Sequence, residues 1–555
     1  MTSDDLCLGP KHSSLVIRHS SFVNCPVFIL IFSSANIRLR MLAISFSCLL
    51  TLVLFLPGEP QSAAAQETRS LLVEGTRLLE ANQAEAARIK FETALKLDPA
   101  SAEAYYLLGV AHEQKRDLSS AIAAYRNALQ YAPKMAEAHD RLGFALGQQG
   151  KIEEALREFR LAAEHKPGFF DAHYHLGATL WWVKNFDEAL PALRKAVTLQ
   201  PGHAEARYYL ALTLKQKGNL NASLEHLREL VKLNPSFALG HTQLGVVLQE
   251  LGETDEAIRN LRKAHELDPA LTDAANSLGL ALIQKGAGEE AAQIFRSLIE
   301  NHPENMVARH NLGSALLQKG DLEGAAKVYR ELTRLSPNSA EAFYNLGLAL
   351  KQKDDFQAAE VELRKATALD PALPEAHFTL GVVLWQTGRP EEALESFKAA
   401  IAPKQDYAEA RYMMGVILKQ QKKLDEAVVE FRQAVELQPD YAEAYLSLSQ
   451  ALREKNDTAG AEAALAEAQR INKKKADTQA AKFALGVGQE KLKKKDLAGA
   501  AAKFREAVRL APELAQAHLQ LARVLQTLGR RQEARKHFAE AYRLAPYLEQ
   551  AQNGK

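Results

Sequence analysis

Small and large apolar residues recur along this chain with a period of 34 residues. With position 1 set at Thr68, position 8 is glycine in eleven of fourteen units, and position 20 is alanine in all but one, where it is Ser223. Positions 4, 7 and 11 are mostly large and apolar, and position 24 is mostly aromatic or leucine. Spacings of three and four residues are typical of one face of an α-helix. The pattern therefore predicts two helices in each unit.

Helix-breaking residues separate the predicted helices at fixed places. Glycine recurs at position 15, where a left-handed residue commonly ends a helix. Proline recurs at position 32 from Pro99 onwards and predicts the end of the second helix. Gln405 and Lys473 replace this proline in two units. The predicted segments are twelve units over 68–475, an insertion over 476–480, two units over 481–548 and a tail over 549–555.

A single pair of helices cannot bury its apolar face, whereas a stack of pairs can. Fourteen units in phase, with glycine at position 8, alanine at position 20 and proline at position 32, resemble the tetratricopeptide repeat (TPR) family. The resemblance implies an all-α, right-handed superhelical solenoid of about fourteen helix-turn-helix TPR units. It also implies a concave groove, lined by the first helices, in which TPR proteins bind peptides or partner helices.

The side of the first helix opposite positions 4, 7, 8 and 11 carries a row of aromatic residues. Position 5 is aromatic in six units. Tryptophan occupies position 12 in two units and position 13 in one. A row of rings outside the core is typical of a contact surface for proteins. The alternative is that the rings pack between neighbouring first helices and only stabilise the stack. The residues are Tyr106, Tyr174, Trp181, Trp182, Tyr208, Tyr344, Phe378, Trp385 and Tyr412.

Position 6 is asparagine in two consecutive units, at Asn311 and Asn345. The two residues resemble a short piece of the asparagine ladder in the TPR half of O-linked N-acetylglucosamine transferase. That resemblance implies that these amides hold a peptide backbone, since an amide both donates and accepts hydrogen bonds. Asparagine is also common in the repeat consensus, so a purely structural role is the alternative.

The charge of the chain is nearly balanced overall but uneven along its length. The net charge of +1 does not indicate nucleic acid as a partner. Residues 471–555 contain 18 Lys and Arg against 8 Asp and Glu, a net charge of +10. Such an end predicts a possible anionic partner, whether protein, polysaccharide or lipid headgroup, and the alternative is a solvated surface. The basic residues are Lys473, Lys474, Lys475, Lys493, Lys494, Lys495, Arg530 and Arg531.

The sequence contains none of the motifs that would indicate catalysis. It has no phosphate-binding loop, no G-x-S-x-G and no H-E-x-x-H. His173 and His175 point in different directions on a helix, and no metal-ligand spacing is present. All three cysteines lie within the first 48 residues. We therefore expect a protein that is not an enzyme and that carries no cofactor or metal.

The N-terminal region has the features of a secretory signal. Arg38 and Arg40 precede an apolar run over 42–56, and small residues end at Ala65. A basic flank, a short apolar stretch and an A-x-A site predict a signal peptide over 41–65 and a secreted or periplasmic protein. The alternative is a membrane anchor formed by 42–56, although a span needs about 20 residues. Residues 1–40 are interpreted as a mis-assigned start or a non-structural extension.

These observations favour an exported scaffold that binds partner peptides or helices in the concave groove of its repeats. One alternative is a non-catalytic regulatory arm of a glycosyltransferase or secretion complex. The other is a cell-envelope tether that uses the basic C-terminal end. Repeats of this family carry many functions on one frame, so the fold alone does not choose among the three.

Overall fold

The computed structural model describes residues 63–545. The predicted extension over 1–40 and almost all of the predicted signal over 41–65 lie outside the described residues, as does the tail over 549–555. Contacts divide the chain into two compact bodies between Ser236 and Phe237. The described residues contain 27 α-helices and no β-strand. The all-α prediction is therefore confirmed.

The N-terminal body contains ten helices, which pack in sequence as antiparallel pairs. We call the first helix of each repeat helix A and the second helix B. The ten are α1 Ala63–Glu80, α2 Ala84–Leu97, α3 Ala102–Gln114, α4 Leu118–Tyr131, α5 Ala136–Gln148, α6 Ile152–His165, α7 Phe170–Trp182, α8 Phe186–Leu199, α9 Ala204–Gln216 and α10 Leu220–Leu233.

The C-terminal body contains seventeen helices, again packed in sequence. They are α11 Ala238–Glu250, α12 Thr254–Leu267, α13 Thr272–Lys285, α14 Gly288–Asn301, α15 Met306–Lys319, α16 Leu322–Leu335, α17 Ala340–Gln352, α18 Phe356–Leu369, α19 Pro374–Gln386, α20 Pro390–Ile401, α21 Ala408–Gln420, α22 Leu424–Leu437, α23 Ala442–Glu454, α24 Thr458–Lys493, α25 Leu497–Leu510, α26 Ala515–Thr527 and α27 Arg531–Leu544. The helix count is consistent with fourteen units if two units share α24.

The turn between helices A and B depends on a left-handed residue at position 15. Seven units place glycine there, with φ between 74° and 85°, as at Gly150 and Gly388. Seven other units place a residue with a side chain there, with φ between 59° and 63°, as at Arg116 and Lys184. Left-handed backbone is unfavourable for residues other than glycine. These turns therefore form because the packing of the two helices imposes them.

The glycine at position 8 makes room for the large residue at position 24 of the same unit. A Cβ atom on Gly381 would lie 2.7 Å from Cε1 of Phe397, and one on Gly143 would lie 2.8 Å from Cε1 of Phe159. Both rings are fully buried. Helix A thus approaches helix B closely enough for a ring to cover the glycine. The alanine at position 20 contributes less, since its carbonyl oxygen lies 3.1 Å from the added Cβ atom at Gly143.

Ion pairs at a repeated position join consecutive units. A lysine at position 14 contacts an acidic residue at position 18 of the preceding unit, as Lys285 contacts Asp255 at 2.7 Å. Exposed pairs of this kind each contribute only about 0–1 kcal/mol. They add to the stacking of apolar faces without replacing it. The other pairs are Lys115–Glu85, Lys217–Asp187, Lys319–Glu289, Lys353–Glu323 and Lys455–Asp425.

The predicted insertion over 476–480 lies inside α24. This helix is 36 residues long and combines helix B of one unit with helix A of the next. Lys473 stands where twelve of the fourteen units have proline, and no glycine or proline follows before Gly486. Nothing in this stretch stops the helix, so the five additional residues continue it. Gln405, by contrast, still follows a helix end, since α20 stops at Ile401.

Candidate protein-binding surface

Three of the nine aromatic residues predicted to line a groove are buried within the repeats. Tyr106, Tyr174 and Tyr208 are buried. The ring of Tyr106 lies 6.0 Å from that of Tyr125, the ring at position 24 of its own unit. Tyr174 likewise packs on the stacked ring of Phe170 at 5.8 Å. These side chains are correspondingly removed from the predicted contact surface.

Two rings of the C-terminal body show the same packing with part of their surface exposed. Phe378 lies 5.6 Å from Phe397 and 5.1 Å from Tyr407, measured between ring centroids. Tyr412 lies 5.9 Å from Phe431 and 5.1 Å from Tyr441. Position 5 therefore faces helix B of its own unit. Tyr344 occupies the same position and is half-buried.

Position 6 faces the neighbouring helix A rather than an open groove. Asn311 is only 3% exposed, and Asn345 is half-buried. In the N-terminal body, His175 at position 6 is hydrogen-bonded through Nδ1 to Oδ1 of Asp140 at 2.8 Å, and both side chains are buried. A helix A that packs against a neighbouring helix A on each side exposes a narrower face than a helix that is buried on one side only. The buried Asn311 is therefore also removed from the contact surface.

The three tryptophans differ in exposure. Trp182 is 43% exposed and stands beside the exposed Val183 at the end of α7. Trp181 is half-buried, and its ring lies edge-on to Tyr209 at 5.4 Å. Trp385 is half-buried and donates a hydrogen bond from Nε1 to Oε1 of Gln420 at 3.2 Å. All three tryptophans therefore keep accessible surface at the end of helix A, and Trp182 keeps the most.

An accessible strip of helix A lies at positions 9, 12 and 13. In α13, α15, α17, α19 and α21, positions 9 and 12 hold half-buried side chains and position 13 holds an exposed glutamine. We call this surface the inner strip. Its half-buried members are Leu280, Ile283, Ser314, Leu317, Leu348, Lys351, Val382, Trp385, Val416 and Lys419, and its glutamines are Gln284, Gln318, Gln352, Gln386 and Gln420.

Hydrogen bonds show that the strip is continuous from one helix A to the next. Gln318 donates from Nε2 to the carbonyl oxygen of Ile283, 35 residues earlier, at 2.6 Å. The bond between Trp385 and Gln420 spans the same separation. The glutamines were not selected from the sequence. Their recurrence at position 13 in eight units was the signal that would have identified them.

Lys351 is a half-buried charged residue of the strip. Burial lowers the pKa of its ammonium group. Among the described residues it forms no ion pair, whereas Lys419 on the same strip lies 3.9 Å from Glu454. A cation without an acidic partner in a poorly hydrated place attracts an anionic group. The strip therefore combines apolar side chains, amides and two lysines, of which Lys351 has no acidic partner among the described residues.

The eight residues of the predicted basic end are all exposed. Several contact acidic neighbours: Lys493 lies 2.6 Å from Glu490, and Arg530 lies 2.5 Å from Glu533.

In residues 63–545, no group of three or more His, Cys, Asp or Glu side chains is placed to hold a metal ion. None of the helices in that range combines the length and apolar character that a membrane crossing needs.

Models of known protein families match most of the repeat array. Tetratricopeptide repeat models match residues 72–136, 183–242, 240–271 and 485–549. A model of the C-terminal domain of cilia and flagella-associated protein 70 matches residues 270–485. A comparison with curated protein sequences finds no significant match. The resemblance to O-linked N-acetylglucosamine transferase stays a prediction.

Several solved structures are similar to this chain. MamA is 26% identical, with 30% of this chain and 96% of MamA covered and a TM-score of 0.29. YrrB, described as a TPR protein with an unusual peptide-binding site, is 25% identical, with 33% and 95% covered and a TM-score of 0.32. Yeast Tom70 is 16% identical, with 71% and 96% covered and a TM-score of 0.38.

The family matches agree with the helix pairs, the glycine at position 8 and the left-handed turns described above. The repeat architecture supports a scaffold for protein–protein interaction. The chain is therefore a tetratricopeptide repeat protein.

Proposed function

We propose that this chain is a scaffold that holds a peptide segment of a partner protein along the inner strip of α13, α15, α17, α19 and α21. One observation carries the proposal. Half-buried apolar side chains continue across five consecutive repeats and are edged by five glutamines, each 34 residues from the next. A surface of this kind offers the partner both apolar contact and regularly spaced hydrogen-bonding groups.

The apolar part of the strip supplies affinity. Leu317, Leu348 and Val382 keep exposed surface that a bound peptide covers. Full burial of one such side chain contributes about 1.5–3 kcal/mol, and these half-buried residues have part of that to gain. Trp385 adds a large ring that its bond to Gln420 already holds in place. An ordered ring costs less conformational entropy when the peptide binds.

The polar part of the strip supplies orientation. Each glutamine carries a carbonyl acceptor and two N–H donors, so it is suited to contact a peptide backbone. Lys351 favours an acidic side chain or a carboxyl terminus in the peptide, because an anion offsets the desolvation of its ammonium group. The proposed ligand is therefore an apolar peptide with an acidic group that reaches Lys351.

Selection of random peptides on the immobilised full chain tests this proposal. We expect a consensus with apolar residues and one acid. Its affinity should fall about tenfold in Lys351→Ala, in line with the loss of a charge-assisted hydrogen bond. Leu348→Glu should abolish binding, whereas Val361→Glu, which changes an exposed residue on α18, should not. A library that yields no peptide, or peptides that bind all variants equally, contradicts the proposal.

The basic end supports a second candidate function, a tether to an anionic surface. The observation that favours it is the exposure of the cluster Lys473, Lys474 and Lys475 on α24. Binding of vesicles with anionic lipid should then weaken as salt is raised, because exposed charges are screened. Reversal of these three charges should remove it while peptide binding stays unchanged. Vesicle binding that survives the charge reversal contradicts the tether.

Export and assembly remain proposals of their own. Export through 41–65 predicts that the chain is found outside the cytoplasm with Gln66 at its N-terminus. A chain recovered with residues 1–65 attached in the cytoplasmic fraction contradicts it. A regulatory arm of a glycosyltransferase or secretion complex predicts stable co-purification with that one complex.

A further inference from the structure

The long helix α24 leaves two repeat faces without the neighbour that covers them elsewhere. At the other junctions within each of the two bodies, helix B and the following helix A are joined by a turn and pack against each other. In α24 the two are one continuous helix of about 54 Å, so they do not fold back on each other. The cores on either side are separate, one ending at Ala464 and the next beginning at Ala481.

The exposure of individual residues shows which faces are uncovered. Position 3 of helix A is an alanine at most 1% exposed in eleven units, but here it is Phe483, which is 75% exposed. Position 24 of helix B is fully buried in most units, but here it is Leu465, which is half-exposed. Phe483 is the most exposed large apolar side chain among the described residues. A solvent-exposed phenylalanine at a position that is buried between helices in the other units indicates a surface that binds a partner.

These residues belong to one uncharged stripe along α24. At about 100° per residue, Leu465, Ala476, Ala480, Phe483 and Val487 fall within an arc of about 60°. All five are exposed or half-exposed, and the stripe extends for about 33 Å. Gln469 and Asn472 continue it without charge. The stripe thus joins the uncovered face of helix B to the uncovered face of helix A.

We propose that the stripe binds the same stripe of a second copy of this chain, antiparallel, and forms a twofold dimer. Each copy carries both halves of the B–A contact that the array makes elsewhere. An antiparallel second copy therefore supplies a helix A to the uncovered helix B and a helix B to the uncovered helix A. Such an isologous contact closes after two copies.

The array itself indicates the register of the pair. Position 17 of α14 contacts position 10 of α15, where a Cβ atom on Gly288 would lie 2.8 Å from the carbonyl oxygen of Ala315. The same register in a pair of α24 helices places Leu465 opposite Phe483 of the second copy. It also places Asn472 opposite Ala476, whose small side chain lets the helices approach closely.

The charges along one edge of the stripe are complementary in this arrangement. Lys473 and Asp477 lie about one turn apart on the same edge of the stripe. In an antiparallel pair, the lysine of each copy approaches the aspartate of the other, which gives two reciprocal ion pairs. An acidic helix from another protein would leave Asp477 facing like charge. The second copy is therefore the occupant that the charges favour.

Analytical ultracentrifugation of the full chain over a range of concentrations tests the dimer. We expect a species of twice the monomer mass of 61.2 kDa. Phe483→Lys should weaken dimerisation at least about tenfold, because it puts a charge opposite the apolar Leu465 of the second copy. Val429→Lys, on an exposed residue of α22, should leave the dimer unchanged. Circular dichroism checks that both variants are folded. A chain that stays monomeric, or a dimer that Phe483→Lys leaves intact, overturns the proposal.

Disulfide cross-linking tests the register. In full chains with Cys7, Cys25 and Cys48 changed to serine, an equimolar mixture of Asn472→Cys and Ala476→Cys should form cross-linked dimers. A mixture of Asn472→Cys with Lys474→Cys, which lies on the opposite side of α24, should not. Equal cross-linking of both mixtures overturns the proposal. So does a monomeric chain that instead binds an acidic helix of another protein through Phe483.

Discussion

Substitution of glycine by alanine should have opposite effects at Gly381, which is in close contact with position 24, and at Gly486, which has no such contact. In Gly381→Ala, the new Cβ atom would lie 2.7 Å from Cε1 of Phe397 and 2.9 Å from Cδ1. Phe397 is fully buried, and its ring already packs against that of Phe378 at 5.6 Å. The ring therefore has no space into which it can move without displacing its neighbours.

The magnitude follows from two opposing terms. Overpacking a buried site costs about 1–3 kcal/mol, and a rigid ring at this distance favours the upper end. Alanine gains about 1 kcal/mol over glycine inside a helix. The net expectation for Gly381→Ala is a loss of about 2 kcal/mol. Gly486→Ala is the matched control, since no neighbouring atom lies within 4 Å of the added Cβ. Gly486→Ala should stabilise its helix by about 1 kcal/mol.

Hydrogen exchange read by mass spectrometry is the suitable assay, because a repeat array opens locally and not in one step. Peptides from α19 and α20 should exchange faster in Gly381→Ala. Peptides from the C-terminal half of α24 should exchange more slowly in Gly486→Ala. Unchanged exchange in Gly381→Ala, or faster exchange in both variants, would refute the packing argument.

Three further predictions concern the turns, a histidine and the ion pairs. Lys184 is held at φ 62°, a left-handed conformation that favours glycine. Lys184→Gly should therefore raise the free energy of local opening at the turn from α7 to α8 by up to about 1 kcal/mol, and hydrogen exchange there should become slower. Burial acts to lower the pKa of His139, but its 2.6 Å hydrogen bond to Glu158 raises it overall. The stability that this hydrogen bond contributes is fully present below the ordinary histidine pKa of about 6.5. It is lost as the pH rises through the pKa of His139 in the folded protein. The thermal midpoint should accordingly differ more between wild type and His139→Gln at pH 5.5 than at pH 8.5, and an equal difference would contradict it. Lys285→Met, which removes the exposed pair with Asp255, should cost less than about 1 kcal/mol at low salt and nothing at 1 M salt.

The sequence predicts most of the fold because the repeat combines several independent local signals. The spacing of apolar residues, the glycine at position 15 and the proline at position 32 each indicate the same helix boundaries. The fused helix α24 was missed because the five-residue slip was interpreted as an insertion. The informative signal was the combination of Lys473 in place of proline with no helix breaker before Gly486.

The candidate surface was predicted less well, for a geometric reason. A helical wheel with a buried and an exposed side places Tyr106 and Asn311 on the exposed side. Helix A, however, contacts its own helix B and also the neighbouring helices A, so Tyr106 and Asn311 are buried. The edge at positions 9, 12 and 13, including Trp385 and Gln352, stays accessible. Only the contacts between units reveal how narrow that edge is.

Site-specific photo-crosslinking tests the central claim, that the inner strip holds a peptide. A photoreactive amino acid replaces Gln352 in one full-length variant and the exposed Val361 on α18 in another. Each is irradiated with the selected peptide. The account predicts a cross-link from position 352 that excess unlabelled peptide suppresses, and none from position 361. A cross-link from position 361 alone, or equal cross-linking from both, would contradict it.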